Sequence, residues 1–310
     1  MLTFYEVNST ISLAGISVEP VSTLVKHSCD PNSWFIFEGK QMRLRALKDI
    51  AAGTQLTRCY FRGDLTCDQE AFKRDLKTTF EVDCNCSICQ RGNVGPTGSL
   101  MDRVRKFDGG IVDMSSVTQQ RAVDRAIKDM LAAGFGYNTI PMRSLYQHAL
   151  RGNIFKFKTA DALKNCLKIY YLVEPNHRPA ILPFGRINTL FNLVSLLDIK
   201  IEARTDHMKA CDPLPQEVTK LLAIILFHLK AKLVREEAKW FGSDTNIARS
   251  GKFIFEDILV RLKIMSGAVG KTFNYTPLSE SATERVKFVK AMNELLKWAD
   301  IPAMEEKDLI

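Results

Sequence analysis

"KHSCDPN", residues 26–32, places a histidine and a cysteine two positions apart, between a lysine and a pair of turn-forming residues. Histidine and cysteine side chains ligate borderline-soft cations, whereas Asp-Pro and Asn favour turns. Part of a metal site and an ordinary turn are both open on this stretch alone. A second stretch, "DCNCSICQRG" at 83–92, weighs the balance. It spaces Cys84, Cys86 and Cys89 as C-x-C-x-x-C, so three thiolates can converge on one cation in a tight loop. Zinc prefers four tetrahedral ligands, which leaves one to be found elsewhere. Cys29, Cys59, Cys67 and His27 are the candidates, while Asp83 and Glu81 are poor companions for three thiolates. A site closed by four protein ligands would be structural, since it keeps no open position for chemistry. The 26–32 stretch then reads as the missing quarter of a zinc site, joining two remote segments.

The chain of 310 residues has room for two domains or one large one. With 46% hydrophobic and 25% charged residues, a packed core is expected. The longest strongly apolar run, "LLAIILF" at 221–227, is far short of the roughly 20 residues of a membrane-spanning helix. "MLTFYEVNST" lacks the basic head and apolar segment of a secretory signal, so an intracellular protein, nuclear or cytoplasmic, is expected. A formal charge of +8 permits attraction to nucleic acid or an acidic partner. No run of five Lys/Arg concentrates it, and no aromatic–basic pattern argues for direct nucleic-acid reading. "FDGG" at 107–110 is too short for a phosphate loop. Eight cysteines are too sparse for a disulfide scaffold.

The chain has two textures, giving an α+β reading with domains at 1–92 and 93–310. "SWFIFEGKQMRLRA" sets an apolar run before Glu-Gly-Lys, then alternates Met42, Leu44 and Ala46 with Gln41, Arg43 and Arg45, which predicts a hairpin. "AAGTQLTRCYF" adds a glycine turn and a short strand, and Phe72, Leu76 and Phe80 recur at helical spacing. After the linker "QRGNVGPTGS" the pattern turns helical. Ile187, Leu190, Phe191, Val194 and Leu197 share one helical face; Val218, Leu222, Ile225, Leu229 and Leu233 share another, stopped near Gly242. Ser281 and Glu284 form a capping box ahead of "RVKFVKAMNELLKWAD". Paired helices of this length predict a helical-hairpin array with a tetratricopeptide-like texture.

The order of these features resembles the SET-domain protein lysine methyltransferases, and among them the SET–MYND branch. "HSCDPN" is similar to that branch's Asn-His-Ser-Cys-x-Pro-Asn motif, "LKDIAAGTQLTRCYF" to its Ile-x-x-Gly-Glu-Glu-Leu-x-x-x-Tyr segment, and "FEVDCNCSIC" to its post-SET start. The resemblance covers roughly residues 1–92. It implies that Cys29 is the fourth ligand of a structural Zn²⁺ held with Cys84, Cys86 and Cys89. It implies also that His27 borders the pocket of the methyl donor S-adenosylmethionine (SAM), with Lys26 at the motif's asparagine position. Tyr60 takes the place of the catalytic tyrosine, and Phe80 that of a channel-lining aromatic. A lysine substrate, with an ordinary pKa near 10.4, must present a neutral amine to the sulfonium methyl. A narrow aromatic channel favours that form by desolvation. The implied partner is a protein carrying a target lysine, histone or non-histone.

The chain also departs from the family's pattern. Neither the Gly-x-Gly segment of the N-terminal SET portion nor a MYND finger precedes "FYEVNSTISL", so a truncated SET domain is expected, completed by a protein partner or a second copy. Lys26 replaces an asparagine, and Phe80 and Val82 replace the commoner Tyr and Phe. Three readings follow. The first is a divergent SAM-dependent protein-lysine methyltransferase. The second is a catalytically inactive SET-derived interaction scaffold. The third is a SET fold turned to small-molecule chemistry, with Tyr60 and Lys26 as acid–base groups.

Overall fold

The computed structural model describes residues 20–38, 41–60, 69–90, 98–107, 113, 116–137, 139–175, 183–202, 214, 216–268 and 276–310. It separates into two compact units, Met1–Val94 and Gly95–Ile310, the first mixed and the second helical, which makes the fold α+β.

In the first unit, helix α1 (Pro20–Leu24) leads into strand β1 (Lys26–His27), followed by β2 (Ser33–Glu38), β3 (Gln41–Ala46) and β4 (Thr57–Arg58). β2 and β3 form the expected antiparallel hairpin, Glu38 opposite Gln41 and Ser33 opposite Ala46. The turn residues Gly39 and Lys40 lie outside the described residues. The alternation of β3 does not produce a buried face: Leu44 is 37% exposed, and only Ser33 and Ile36 of the hairpin, both on β2, are fully covered. A two-stranded ribbon needs only one strand against the core, and β2 supplies it.

β1 pairs with β4 in parallel, Lys26 opposite Thr57 and His27 opposite Arg58, and the Ser28 N–H continues the ladder to the Arg58 carbonyl at 2.9 Å. Beyond Ser28 a side chain takes over. Buried Asn32 accepts from the Thr57 N–H at 2.8 Å and donates Nδ2–H to the Gln55 carbonyl at 2.9 Å, while Ser33 Oγ donates to the Thr57 carbonyl at 2.9 Å. The primary amide of Asn32 thus copies both halves of a peptide group, satisfying main chain that two remote segments would otherwise leave unpaired.

Helix α2 (Gln69–Phe80) buries Phe72 and Leu76 on the predicted stripe, with Phe80 partly exposed at its end. Glu81 closes the helix in the left-handed region, φ 55°, its N–H bonding the Lys77 carbonyl and that of Val82 the Leu76 carbonyl. These paired bonds are those of a Schellman-type stop, which turns the chain sharply into the cysteine loop and the short helix α3 (Ser87–Gln90).

The second unit contains α4 (Gly98–Arg105), α5 (Val117–Ala132), α6 (Ile140–Phe155), α7 (Thr159–Lys168), a π-helical turn (Ile169–Val173), α8 (Pro183–Glu202), α9 (Gln216–Phe241), α10 (Asn246–Ala268), α11 (Ala282–Trp298) and α12 (Glu306–Leu309). From α4 to α10 each helix packs on the next, but α11 returns to α9 and carries α12. On α8, Ile187, Leu190, Val194 and Leu197 are buried as predicted, whereas Phe191 at the edge of the stripe is 44% exposed. On α9, Leu222, Ile225, Leu229 and Leu233 are buried, and the side chain of Val218 lies outside the described residues. Gly242, at φ 100°, ends that helix. Ser281 caps α11 by accepting the Glu284 N–H at 3.2 Å, while the Glu284 carboxylate pairs with Lys287 at 2.8 Å.

Among the described residues of the helical unit, Glu237 has a buried carboxylate oxygen without a hydrogen bond. Glu237 on α9 lies against Gly251 of α10, where an added Cβ would stand 2.0 Å from its Oε2, and that oxygen is buried without a hydrogen bond. Burial raises its pKa from 4.5 to about 7. The folded state therefore holds this proton more tightly than the unfolded chain. The contribution to stability is present at low pH and is lost as pH rises through about 7. Glu237→Gln is expected to melt at the parent's temperature at pH 5 and a few degrees above it at pH 8, measured by differential scanning calorimetry.

Candidate metal centre and adjoining cleft

The β1 stretch and the loop after α2 meet at sulfur. The Sγ atoms of Cys29, Cys84, Cys86 and Cys89 all lie within 4.8 Å of one another. Cys29 stands 3.9 Å from Cys84 and 3.5 Å from Cys89. Tetrahedral zinc with bonds of about 2.3 Å requires sulfurs about 3.8 Å apart, so the cluster has the dimensions of a zinc–tetrathiolate site. Cys29 is fully buried and Cys89 nearly so. Of the alternatives for the fourth position, Cys59 is half-buried and not part of the group, and Cys67 lies outside the described residues. His27 lies beside the cluster, Nε2 3.3 Å from Cys29 Sγ, but its Nδ1 is taken by the Tyr60 N–H at 3.1 Å.

The electrostatics of four crowded thiols favour a cation. A hydrogen bond from Cys29 pulls Cys86 down to about 3, and the same bond, with burial, pushes the Cys29 thiol far above its ordinary range. Burial chiefly raises Cys89 to about 12. Without a metal, Cys29 and Cys89 are therefore held as thiols beside the Cys86 thiolate. A divalent cation would take the place of those protons.

Beside the cluster opens a cleft of about 360 Å³, lined by Lys26, His27, Ser28, Thr57, Tyr60, Val82, Asp83, Cys84, Asn85 and Cys86. Tyr60 is its aromatic wall. The Tyr60 hydroxyl donates to the Val25 carbonyl at 3.0 Å, and the ring meets His27 edge-on at 5.1 Å and Phe80 at 5.3 Å. The chain thus brings Lys26, His27, Tyr60 and the four cysteines to one place, with Phe80 reaching it through the Tyr60 ring. Burial above all holds His27 neutral, down to about 4, with Arg58 adding to the effect and Cys86 opposing it.

Sequence reading missed Arg58 and Asn32. The Arg58 guanidinium lies over the rings of Phe35 at 5.2 Å and Tyr60 at 4.9 Å, and its Nε and Nη2 are buried without a hydrogen-bond partner among the described residues. Burial lowers its pKa. The signal was present in the period-two spacing that puts positions 58 and 60 on one face of an extended strand. Asn32 could have been found only by knowing which strand lies beside it.

The SET domain family matches residues 5–61, of which 5–19, 39–40 and 61 lie outside the described residues. The mouse protein named Histone-lysine N-methyltransferase SMYD3 is 35% identical over 83 residues, 27% of this chain and 19% of its own length. A SET and MYND domain-containing protein of Dictyostelium discoideum is 33% identical over 89 residues, 28% of this chain and 21% of its own. SET domain and MYND-type zinc finger protein 6 of Schizosaccharomyces pombe is 25% identical over 146 residues, 47% of this chain and 28% of its own. The chain spans about a fifth to a quarter of the length of these relatives. Among the described residues no helix is long and apolar enough to cross a membrane.

Metal-free, reduced protein titrated with Zn²⁺ at pH 7 is expected to release the protons of at least Cys29 and Cys89, the two thiols whose pKa is raised. Calorimetry in buffers of different ionisation enthalpy counts them, and Cys86→Ser should abolish tight uptake. The N-terminal part of this chain carries a SET-domain segment similar to those of the SET–MYND methyltransferases.

Proposed function

We propose that the first unit is the C-terminal part of a SET domain with its post-SET zinc loop, and that the chain is a SAM-dependent protein-lysine N-methyltransferase. The observation that carries the reading is Tyr60, a tyrosine with a braced hydroxyl, on the wall of a polar cleft directly beside a four-cysteine cluster. A relative's printed name, Histone-lysine N-methyltransferase, supports the same class of substrate.

Zinc, held by Cys29, Cys84, Cys86 and Cys89, would serve as a structural staple. SAM would supply the electrophilic methyl. Lys26, which lines the cleft, would meet the donor's carboxylate, with Ser28, Thr57 and Asn85 as further polar groups of the cleft. The Tyr60 hydroxyl spends its proton on Val25, leaving its oxygen as an acceptor that orients an incoming amine N–H. Phe80 and His27 hold the ring at its edges. Arg58 fits this chemistry as well: a fixed cation against the Tyr60 ring disfavours an ammonium ion and favours the neutral amine that attacks.

A zinc-loaded sample is expected to bind SAM with at least micromolar affinity by isothermal titration calorimetry. Lys26→Ala should weaken binding about tenfold, the scale of one lost charge-assisted hydrogen bond. Tyr60→Phe should keep donor binding and lose methyl transfer to itself or to lysine peptides. No SAM binding by folded, zinc-loaded protein would sink the methyltransferase reading and leave the interaction scaffold and the small-molecule reading.

A further inference from the structure

The imidazole of His27 stands between the cysteine cluster and Tyr60, and its two nitrogens face different partners. Nδ1 lies 3.1 Å from the Tyr60 backbone nitrogen, which carries a hydrogen, so Nδ1 must be the acceptor. A neutral ring that accepts at Nδ1 carries its proton on Nε2. That nitrogen is the one 3.3 Å from Cys29 Sγ, within reach of an N–H···S hydrogen bond. The contact continues the sheet by other means. The parallel ladder of β1 and β4 ends with the Ser28 N–H bonded to the Arg58 carbonyl, and the next available N–H on that side, from Tyr60, goes to a ring instead of a carbonyl. Tyr60 is held at its other end by its hydroxyl on the Val25 carbonyl, two residues before His27. The backbone and the hydroxyl of Tyr60 are therefore both referred to the short segment that ends in Cys29.

We propose that His27 is a positioning residue that links metal occupancy to the placement of Tyr60: its Nε2–H donates to the Cys29 thiolate of the loaded cluster while its Nδ1 holds the Tyr60 N–H. The side chain then serves the sulfur cluster as well as bordering the cleft. A hydrogen bond onto a metal-bound thiolate draws charge off the sulfur and fixes its orientation, as outer partners of metal ligands do. Any displacement of Cys29 Sγ passes through a rigid aromatic ring to the Tyr60 main chain. The inference rests on the methyltransferase reading only for what Tyr60 does; the linkage itself is a matter of geometry.

The two nitrogens can be tested separately in the full chain. His27→Asn keeps an oxygen acceptor near the Nδ1 position and removes the donor to sulfur. His27→Gln can keep a donor near Nε2 and removes the acceptor for Tyr60. Zinc affinity, measured by competition with a chromophoric chelator, should fall about 10- to 100-fold in the Asn variant and stay close to the parent's in the Gln variant. The sulfur-to-metal charge-transfer bands of Co²⁺-loaded protein should shift with Asn and not with Gln. In parent protein labelled with ¹⁵N at His and Tyr, NMR should show His27 protonated at Nε2. The Tyr60 amide resonance should move when Zn²⁺ is exchanged for Cd²⁺, whose longer bonds displace Cys29, and should cease to respond in the Asn variant. A parent ring protonated at Nδ1, parental zinc affinity in the Asn variant, or a Tyr60 amide indifferent to the metal exchange would each overturn the proposal. Absence of SAM binding alongside the expected results would overturn only the transfer reading.

Discussion

The approach of Cys29 to Cys84, Cys86 and Cys89 is the contact on which the first unit depends. It joins a two-residue strand to a loop far along the chain, and neither segment has enough apolar surface to hold the other in place. β1 and β4 are two residues long, and the hairpin of β2 and β3 fully buries residues on one strand only. Below a certain size, a mixed fold with so little covered sheet needs a staple. Four thiols this close, with Cys29 and Cys89 pushed up and Cys86 pulled down, are such a staple once a divalent cation takes up their charge.

The polar contacts around that staple are directional where the hydrophobic ones are few. Asn32 substitutes for a peptide group between residues 55 and 57, Ser33 binds the Thr57 carbonyl, and His27 receives the Tyr60 N–H. Each of these side chains belongs to the segment that brings Cys29 to the cluster. The stretch is therefore a folding element and a site element at once: its cysteine faces the sulfur group, its histidine ring spans to the aromatic wall, and Lys26 opens onto the cleft. Arg58 adds a buried guanidinium against the same wall, its Nε and Nη2 without a hydrogen-bond partner among the described residues.

Much of this was readable in the amino-acid sequence because the signals were local. C-x-C-x-x-C implied a cluster short of one ligand, period-two alternation around Glu-Gly-Lys implied the β2–β3 pairing, and Ser281 with Glu284 implied the start of α11. What was not readable depended on neighbours distant in sequence. Spacing alone left Cys29, Cys59, Cys67 and His27 open; the family resemblance singled out Cys29, and the fold sets Cys29 within the cluster and Cys59 outside it. The parallel pairing of β1 with β4 has no sequence signature at two residues' length, so the roles of Asn32 and of the two His27 nitrogens stayed hidden. The alternation in β3 showed which residues share a face and not whether that face is covered. Phe191 was misread for the same reason on a helix.

Zinc-edge X-ray absorption on protein purified without added metal tests the account at its centre. Four sulfur neighbours at about 2.3 Å, with no nitrogen in the inner shell, are the result that the sulfur geometry and the outward place of His27 require. A shell of three sulfurs and one nitrogen would put His27 on the metal in place of Cys29, and would contradict both the cluster and the bridge built on it.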